Sequence, residues 1–296
     1  MTRFDVDKVM AEVRSQRRAA AIQHTERVAA GRALYTDSEG RPTLLPSFAL
    51  YLDELGAKDR LLNLTNDELR EDLQNYDDLR WFLHDEANWD QETQRALFFS
   101  DNVIVAAPIR PEDDCSDLGL FFQVFSAATY QLNMAIRGRF LRGGMAAGDL
   151  YADHSFVTGA ALVRAVLLEE HVANTPRVLL DEVCTELARR EVASYRSPEH
   201  SAHGTFLLKD ADDKVFVNYL LAASEDEGVN PGVTEIGLRG HRDRVSECML
   251  AAAQVPKVLA KYSWAAAYHN YVVTDFYDRT DLTISGAADV AFERFT

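Results

Sequence analysis

The sequence predicts an α+β fold, with helices packed on one face of an antiparallel-containing sheet, an N-terminal helix and a helical C-terminal extension. Three observations carry this reading. Strand-like and helix-like segments follow the order strand, helix, hairpin, helix, strand, helix, strand, which is not the regular alternation of a doubly wound sheet. Two of the strands, within Arg95–Pro108, adjoin through a tight turn at Asp101–Asn102, which makes them an antiparallel pair. The composition, 47% hydrophobic and 26% charged over 296 residues, is that of a folded chain long enough to bury a sizeable core.

Val6 to Arg32 carries Val9, Val13, Ile22 and Val28 among many charges, including Arg14, Arg17, Arg18 and Arg27. That is an amphipathic helix docking on its own or a sister subunit, ahead of a membrane or nucleic-acid arm. Tyr35–Pro46, rich in Asp, Ser, Gly and Pro, is a loop. Ser47–Leu55 is a buried strand interrupted by one carboxylate, and helical spacing then runs through Leu61, Leu62, Leu69 and Leu73 to Trp81 and Phe82. After the hairpin, Leu118–Arg137 is a long apolar helix and Phe140–Leu150 a Gly-rich strand. Ser155–Thr158 is a short strand, Ala160–Val172 a helix and Arg177–Leu180 a further strand. Phe206–Leu208 and Val215–Val217 flank the acidic DADDK turn, and Glu235–Trp264 is largely helical. The domain reading is an arm and loop over 1–43, a catalytic core over 44–181 and a C-terminal extension over 182–296 packed on that core.

The net charge of −16 disfavours gripping a nucleic-acid backbone, while leaving room for a nucleotide held by local cations or metal ions. No apolar run approaches a membrane span, and no signal-peptide core follows Met1–Asp5. Cys115, Cys184 and Cys248 make no ligand-spaced cluster and suggest reduced thiols. The expectation is a cytoplasmic protein.

Two carboxylates stand in apolar surroundings. Side chains alternate along a strand, so Ala49, Tyr51 and Asp53 share one side, opposite Phe48, Leu50 and Leu52. Asp101 follows Leu97, Phe98, Phe99 and Ser100 at the hairpin tip. If the two strands are neighbours, two acids converge at one end of the sheet, and a divalent cation relieves their repulsion. Taken singly, Asp53 also reads as a turn or cap residue before Gly56, and Asp101 as an ordinary turn acid.

The segments FALYLDELG, LFFSDNVIVA, LRGGMAAGDLY, FVTGAALVRAVLLEE and PRVLLD, in that order, resemble the catalytic core of class III nucleotidyl cyclases. They are most similar to the divergent bacterial pyrimidine cyclases of anti-phage signalling, the Pycsar type. The likeness covers roughly residues 44–181, with more around LLKDADDKVFVNYL and KYSWAAAYHN. The resemblance implies a class III cyclase-like sheet in which Asp53 and Asp101 hold two Mn²⁺ or Mg²⁺ ions. Such a metal pair can balance the roughly four negative charges of a nucleoside triphosphate. One ion would acidify the ribose 3′-hydroxyl and the other hold the phosphates, giving a 3′,5′-cyclic monophosphate and pyrophosphate. Glu54, Leu55, Gly56 and Ala57 would bring backbone groups to metal and phosphates, with Lys58 adding charge or lying solvated. The resemblance further implies a homodimer and a downstream cyclic-nucleotide effector.

Departures from the family pattern point to the base. Leu97 stands where purine cyclases usually carry a Lys or Glu, and Phe156 where they often carry a polar residue. Neither offers the hydrogen bonds that select a purine. Tyr51, Leu97 and Phe156 would make a smaller pocket, although Leu97 and Phe156 also read as plain core. The Asn and Arg that usually stabilise the transferring phosphoryl group fall near Val163 and Leu167; Arg164 is adjacent, and Arg137, Arg139 and Arg142 flank the next strand. Two functions follow: a uridylate cyclase, with cytidylate as the alternative product, or a cyclase-like nucleotide-binding sensor without activity. DADDK lacks the Gly and closing Glu of a calcium loop and reads as a hairpin turn. GGMAAG lacks the setting of a dinucleotide fingerprint, so Gly143 and Gly144 read as sites of close backbone approach. His200, His203 and His269 read as loop or packing residues.

Overall fold

A computed structural model describes residues 34–79, 94–109, 116–197, 200–224, 228 and 232–296. The expected helix over Val6–Arg32, the pair Trp81 and Phe82, and Cys115 lie outside the described residues. In chain order the elements are β1 (Leu45–Glu54), α1 (Ala57–Leu62), α2 (Asn66–Leu79), β2 (Arg95–Phe99), β3 (Asn102–Pro108) and α3 (Ser116–Ala135). There follow β4 (Leu141–Ala152), β5 (Val157–Gly159), α4 (Ala160–His171), β6 (Val178–Leu180), α5 (Glu182–Ser194) and α6 (Ala202–Phe206). The chain ends with β7 (Leu207–Lys209), β8 (Val215–Val217), α7 (Val233–Ala251), α8 (Pro256–Asp275) and β9 (Glu293–Arg294).

All nine of these strands belong to one sheet, in the order β2-β3-β1-β4-β6-β8-β7-β9, with β5 beside β4. Neighbours are antiparallel except β4 and β6, which run parallel and are joined through α4. The 182–296 segment thus supplies three strands to the same sheet as well as helices. Its DADDK turn is a hairpin turn, closed by Asp210 N–H donating to the Lys214 carbonyl at 3.0 Å and clamped by ion pairs from buried Arg177 to Asp210 and Asp212. Glu235–Trp264 is largely helical, as expected, and the segment falls into two helices. Pro256 cannot donate into a preceding helix and starts α8 after a break at 252–255.

The expectation of helices on one face alone needs correction. On one side of the sheet Phe48, Leu50, Leu52, Val103, Val105 and Met145 form a large core with α3, α5, α7 and α8. On the other, Ala49, Ala106 and Ala146 meet Ala161 and Ala165 of α4. Small residues on this second face leave the helix little room for side chains, so backbones approach closely. A Cβ on Gly144 would stand 2.2 Å from the Ala165 carbonyl oxygen, and one on Gly143 equally close to that of Tyr51. Only glycine fits either position.

The C-terminal layer is locked by a buried polar chain. His269 Nε2 lies 3.1 Å from the Leu282 carbonyl oxygen, which can only accept, so this nitrogen carries the proton. His269 Nδ1 then accepts from His241 Nδ1, 3.0 Å away, and His241 Nε2 accepts from the Tyr219 hydroxyl at 2.7 Å. Burial, aided for His241 by the neighbouring His269, holds the His241 imidazole well below the usual histidine range. Burial also pushes His269 down to about 4. Both rings are neutral, and all four ring nitrogens are used.

Candidate functional site

Asp53 leaves the end of β1 between two strands. Register places it opposite Arg142 on β4 and Asn102 on β3. Arg142 Nε and Nη2 donate to Asp53 Oδ2 at 3.1 and 2.9 Å. The same Nη2 stands 2.6 Å from Glu169 Oε1, as an ion pair. Glu169 gets there because α4 runs along β4 with Ala161 and Ala165 against the sheet, and Glu169 is the next residue in that helical phase. The Gly144–Ala165 approach sets how close it comes.

One guanidinium therefore serves two acids, Glu169 buried and Asp53 half-buried. Side-chain exposure is 17% for Asp53, 4% for Glu169 and 23% for Arg142. Burial pushes the Asp53 carboxyl above its usual range; Arg142 opposes the rise and the Asp101 charge adds to it. Burial also raises Glu169, with Arg142 opposing and Asp53 and Glu170 adding. A second cation, Lys261 of α8, is held below the usual lysine range by burial and by the Arg142 and Lys257 charges, while Asp53 pulls it back up.

Asp101 sits in the turn between β2 and β3, preceded by Ser100 with φ at +55°. Its carbonyl accepts from Glu54 N–H at 3.3 Å, and its carboxylate from Asn102 Nδ2 at 3.2 Å. The structure thus brings Asp53 and Asp101 to the same end of the sheet, near enough for each charge to act on what surrounds the other. Tyr51 shares the setting. Its hydroxyl donates to Asn102 Oδ1, and burial, then the charges of Asp53, Glu169, Asp101 and Glu170, push it up to about 12.

Leu97 pairs with Ile104, which pairs with Tyr51, so Leu97 lies in the Tyr51 row of the sheet. Phe156 does not join them within one chain. It follows the far end of β4, 57% exposed, and Ala152 is already about 26 Å along the strand from Gly144, the residue opposite Tyr51. Arg164 is also remote from Asp53, donating to the Ala147 carbonyl at 2.9 Å. Val163 and Leu167 are exposed on α4.

In the β1–α1 turn, Leu55 N–H donates to the Phe140 carbonyl at 2.8 Å, Gly56 has φ +82° and Ala57 is buried. The Glu54 side chain is committed elsewhere, to Arg60 at 2.8 Å and Arg139 at 3.4 Å, which both also pair with Asp72. This quartet and Asp101 border a cavity of about 110 Å³ on the α2 side. Sequence reasoning leaves the direction of Arg142 open and misses Glu169. The available signal is an acid falling in phase with the buried alanines of its helix.

No protein-family model matches the chain, and no curated protein matches it. Among the described residues, no group of three or more His, Cys, Asp or Glu is arranged to hold a metal ion. Among them, too, no helix is long and apolar enough to cross a membrane.

Proposed function

We propose that the chain is a nucleotide cyclase with a class III cyclase-like core, converting UTP to 3′,5′-cyclic UMP and pyrophosphate, with CTP as the alternative substrate. The observation that carries this reading is the meeting of Asp53 and Asp101 at one end of adjacent strands, in a cluster holding more acid than base. The ribose 3′-oxygen bonds to the α-phosphorus, the bond from that phosphorus to the bridging oxygen breaks, and pyrophosphate leaves as the hydroxyl proton passes to solvent.

Two Mn²⁺ or Mg²⁺ ions are the cofactors of this reading. The donor chemistry fits them: Asp53 and Asp101 offer hard oxygens, and Mg²⁺ is commonly held by one or two carboxylates plus substrate phosphates. Bound there, such ions lower the pKa of the attacking hydroxyl and neutralise phosphate charge. Tyr51, anchored on Asn102, and Leu97 in its row would narrow the base pocket and disfavour a second base ring. The exposed Phe156, Val163 and Leu167 support a homodimer, in which a second copy covers them. The protein then acts in the cytoplasm, supplying a cyclic-nucleotide effector in anti-phage defence.

Incubating the purified chain with each of the four triphosphates and Mn²⁺, and weighing the products, tests the reading. Cyclic UMP should dominate, cyclic CMP should follow, and purine products should be minor. A purine preference would overturn the pocket argument, and no cyclic product from any triphosphate would overturn the enzyme. The second reading, a nucleotide-binding sensor without turnover, is favoured by the closure of Asp53 by Arg142 and by apolar Val163 and Leu167 where a polar pair is usual.

A further inference from the structure

We infer that Arg142 is a built-in competitor for the divalent cation, and that Glu169 holds it when the cation enters. The inference rests on the metal-site reading of Asp53 and extends it to how the site is loaded.

The geometry is specific. Arg142 places two of its nitrogens on a single oxygen of Asp53, at 3.1 and 2.9 Å, so the protein's own cation already occupies a face of the carboxylate. The guanidinium is not confined to that partner. Its Nη2 is shared with Glu169, which is 4% exposed and fixed on α4. Arg142 Nη1 also reaches the Ala173 carbonyl at 3.5 Å, just beyond the end of the same helix. Arg142 therefore has a second carboxylate and a carbonyl on the α4 side that it keeps when it lets go of Asp53. A pairing made only for stability would not need the second buried acid, whose desolvation is costly.

The arrangement works as an ion exchange. With no cation, Arg142 spans Asp53 and Glu169 and offsets one of the two charges. When a divalent ion takes Asp53, the guanidinium withdraws to Glu169, and the two carboxylates each keep a counter-charge. Glu169 is a positioning residue here: it acts on the ion through Arg142 and through its own side-chain hydrogen bond with the Asp53 carboxyl.

The test is calorimetric titration of the full chain with Mn²⁺ alone, without nucleotide, so that no turnover enters the readout. Arg142→Gln should bind Mn²⁺ more tightly than wild type, by on the order of tenfold. That variant also makes the site more negative by one charge. The double variant Arg142→Gln/Glu169→Gln removes one positive and one negative charge, leaving the local net charge as in wild type. It should still bind Mn²⁺ several-fold more tightly, and it removes the uncompensated acid that could keep the single variant from folding. Asp53→Asn should lose binding. If Asp53→Asn loses binding but the double variant binds no more tightly than wild type, the competition is overturned and the metal site stands. If Asp53→Asn binds Mn²⁺ as wild type does, the metal site itself falls, and the competition with it.

Discussion

Two polar clusters are buried in this protein, and they are built on opposite terms. The Tyr219–His241–His269–Leu282 chain closes on itself: each donor has one acceptor, both imidazoles are neutral, and no charge is left over. The Asp53–Arg142–Glu169 cluster does not close. Two acids share one guanidinium, a third acid stands nearby in the turn, and burial raises both of the acids that Arg142 serves. A cluster that exists to hold helices together gains from completing its bonds. A cluster that must accept a charged guest gains from being incomplete. On the proposed function, the contrast is between polar burial that serves structure and polar burial that serves a site.

The largest effect that could break this contrast is on turnover. Asp53→Asn or Asp101→Asn should lower cyclic-nucleotide formation by ~10³-fold or more, about 4 kcal/mol in transition-state terms, with the fold intact by circular dichroism. Full activity in either variant at matched Mn²⁺ would put both clusters in the structural class.

Acid should separate the clusters next, because their pKa displacements have opposite consequences. His269 and His241 lie below their unfolded value of 6.5, so the unfolded chain binds more protons than the native one as pH falls below it. Their contribution is complete above pH 6.5 and is lost on descent toward about pH 4, at about 3 kcal/mol for His269 alone. Asp53 and Glu169 are raised above ordinary values of 3.8 and 4.5. Their cost to the fold builds up as pH rises from these ordinary values to the raised ones and is complete above them, so acid relieves it. Urea unfolding from pH 8 to pH 4.5 should therefore show wild type weakening below pH 6.5, while Glu169→Gln gains about 1 kcal/mol at pH 7. Loss of stability at pH 7 in Glu169→Gln would show that the acidic cluster is a stabilising network after all.

A smaller effect tests the geometry that joins α4 to the site. Gly144→Ala should cost about 2 kcal/mol, since the new methyl meets the Ala165 backbone rather than a flexible side chain. It should also weaken Mn²⁺ binding, because Glu169 would be carried away from Arg142. Unchanged stability by thermal melting would mean that the helix sits less firmly on the sheet than the Gly144 contact requires.

Much of the strand order is legible in the amino-acid sequence. The hairpin at Asp101–Asn102 can be read because apolar, β-prone runs flank two turn residues, and β2 and β3 form there. β1 and β4 are equally readable, as an apolar run interrupted by one carboxylate in one and as a Gly-rich apolar run in the other. The second face of the sheet is not, because Ala49, Ala106, Ala146 and Gly144 are small and give no amphipathic signal, yet their smallness is what admits α4. Arg142 and Glu169 lie 27 positions apart and meet only through strand register and helical phase together. His241 and His269 are on separate helices, so neither shows a spacing that marks a pair. Sequence offsets alone assign Phe156 to the Tyr51 pocket, and offsets do not reveal that β4 carries it to the other end of the sheet.

The three-residue strand β6 has a consequence for anyone who shortens this chain. It is parallel to β4 on one side, and on the other it meets β8 through Leu179 and Phe216. A fragment ending at Asp181 would keep Asp53, Asp101, Arg142 and Glu169 but strip β8, β7 and β9 from that side. Its open edge of unpaired amides and carbonyls, beside the uncovered apolar surface of Val178 and Leu180, is a template for strand addition between copies. Such a fragment should precipitate or form non-native oligomers, so the C-terminal segment serves as the sheet's protection against aggregation as well as a helical layer.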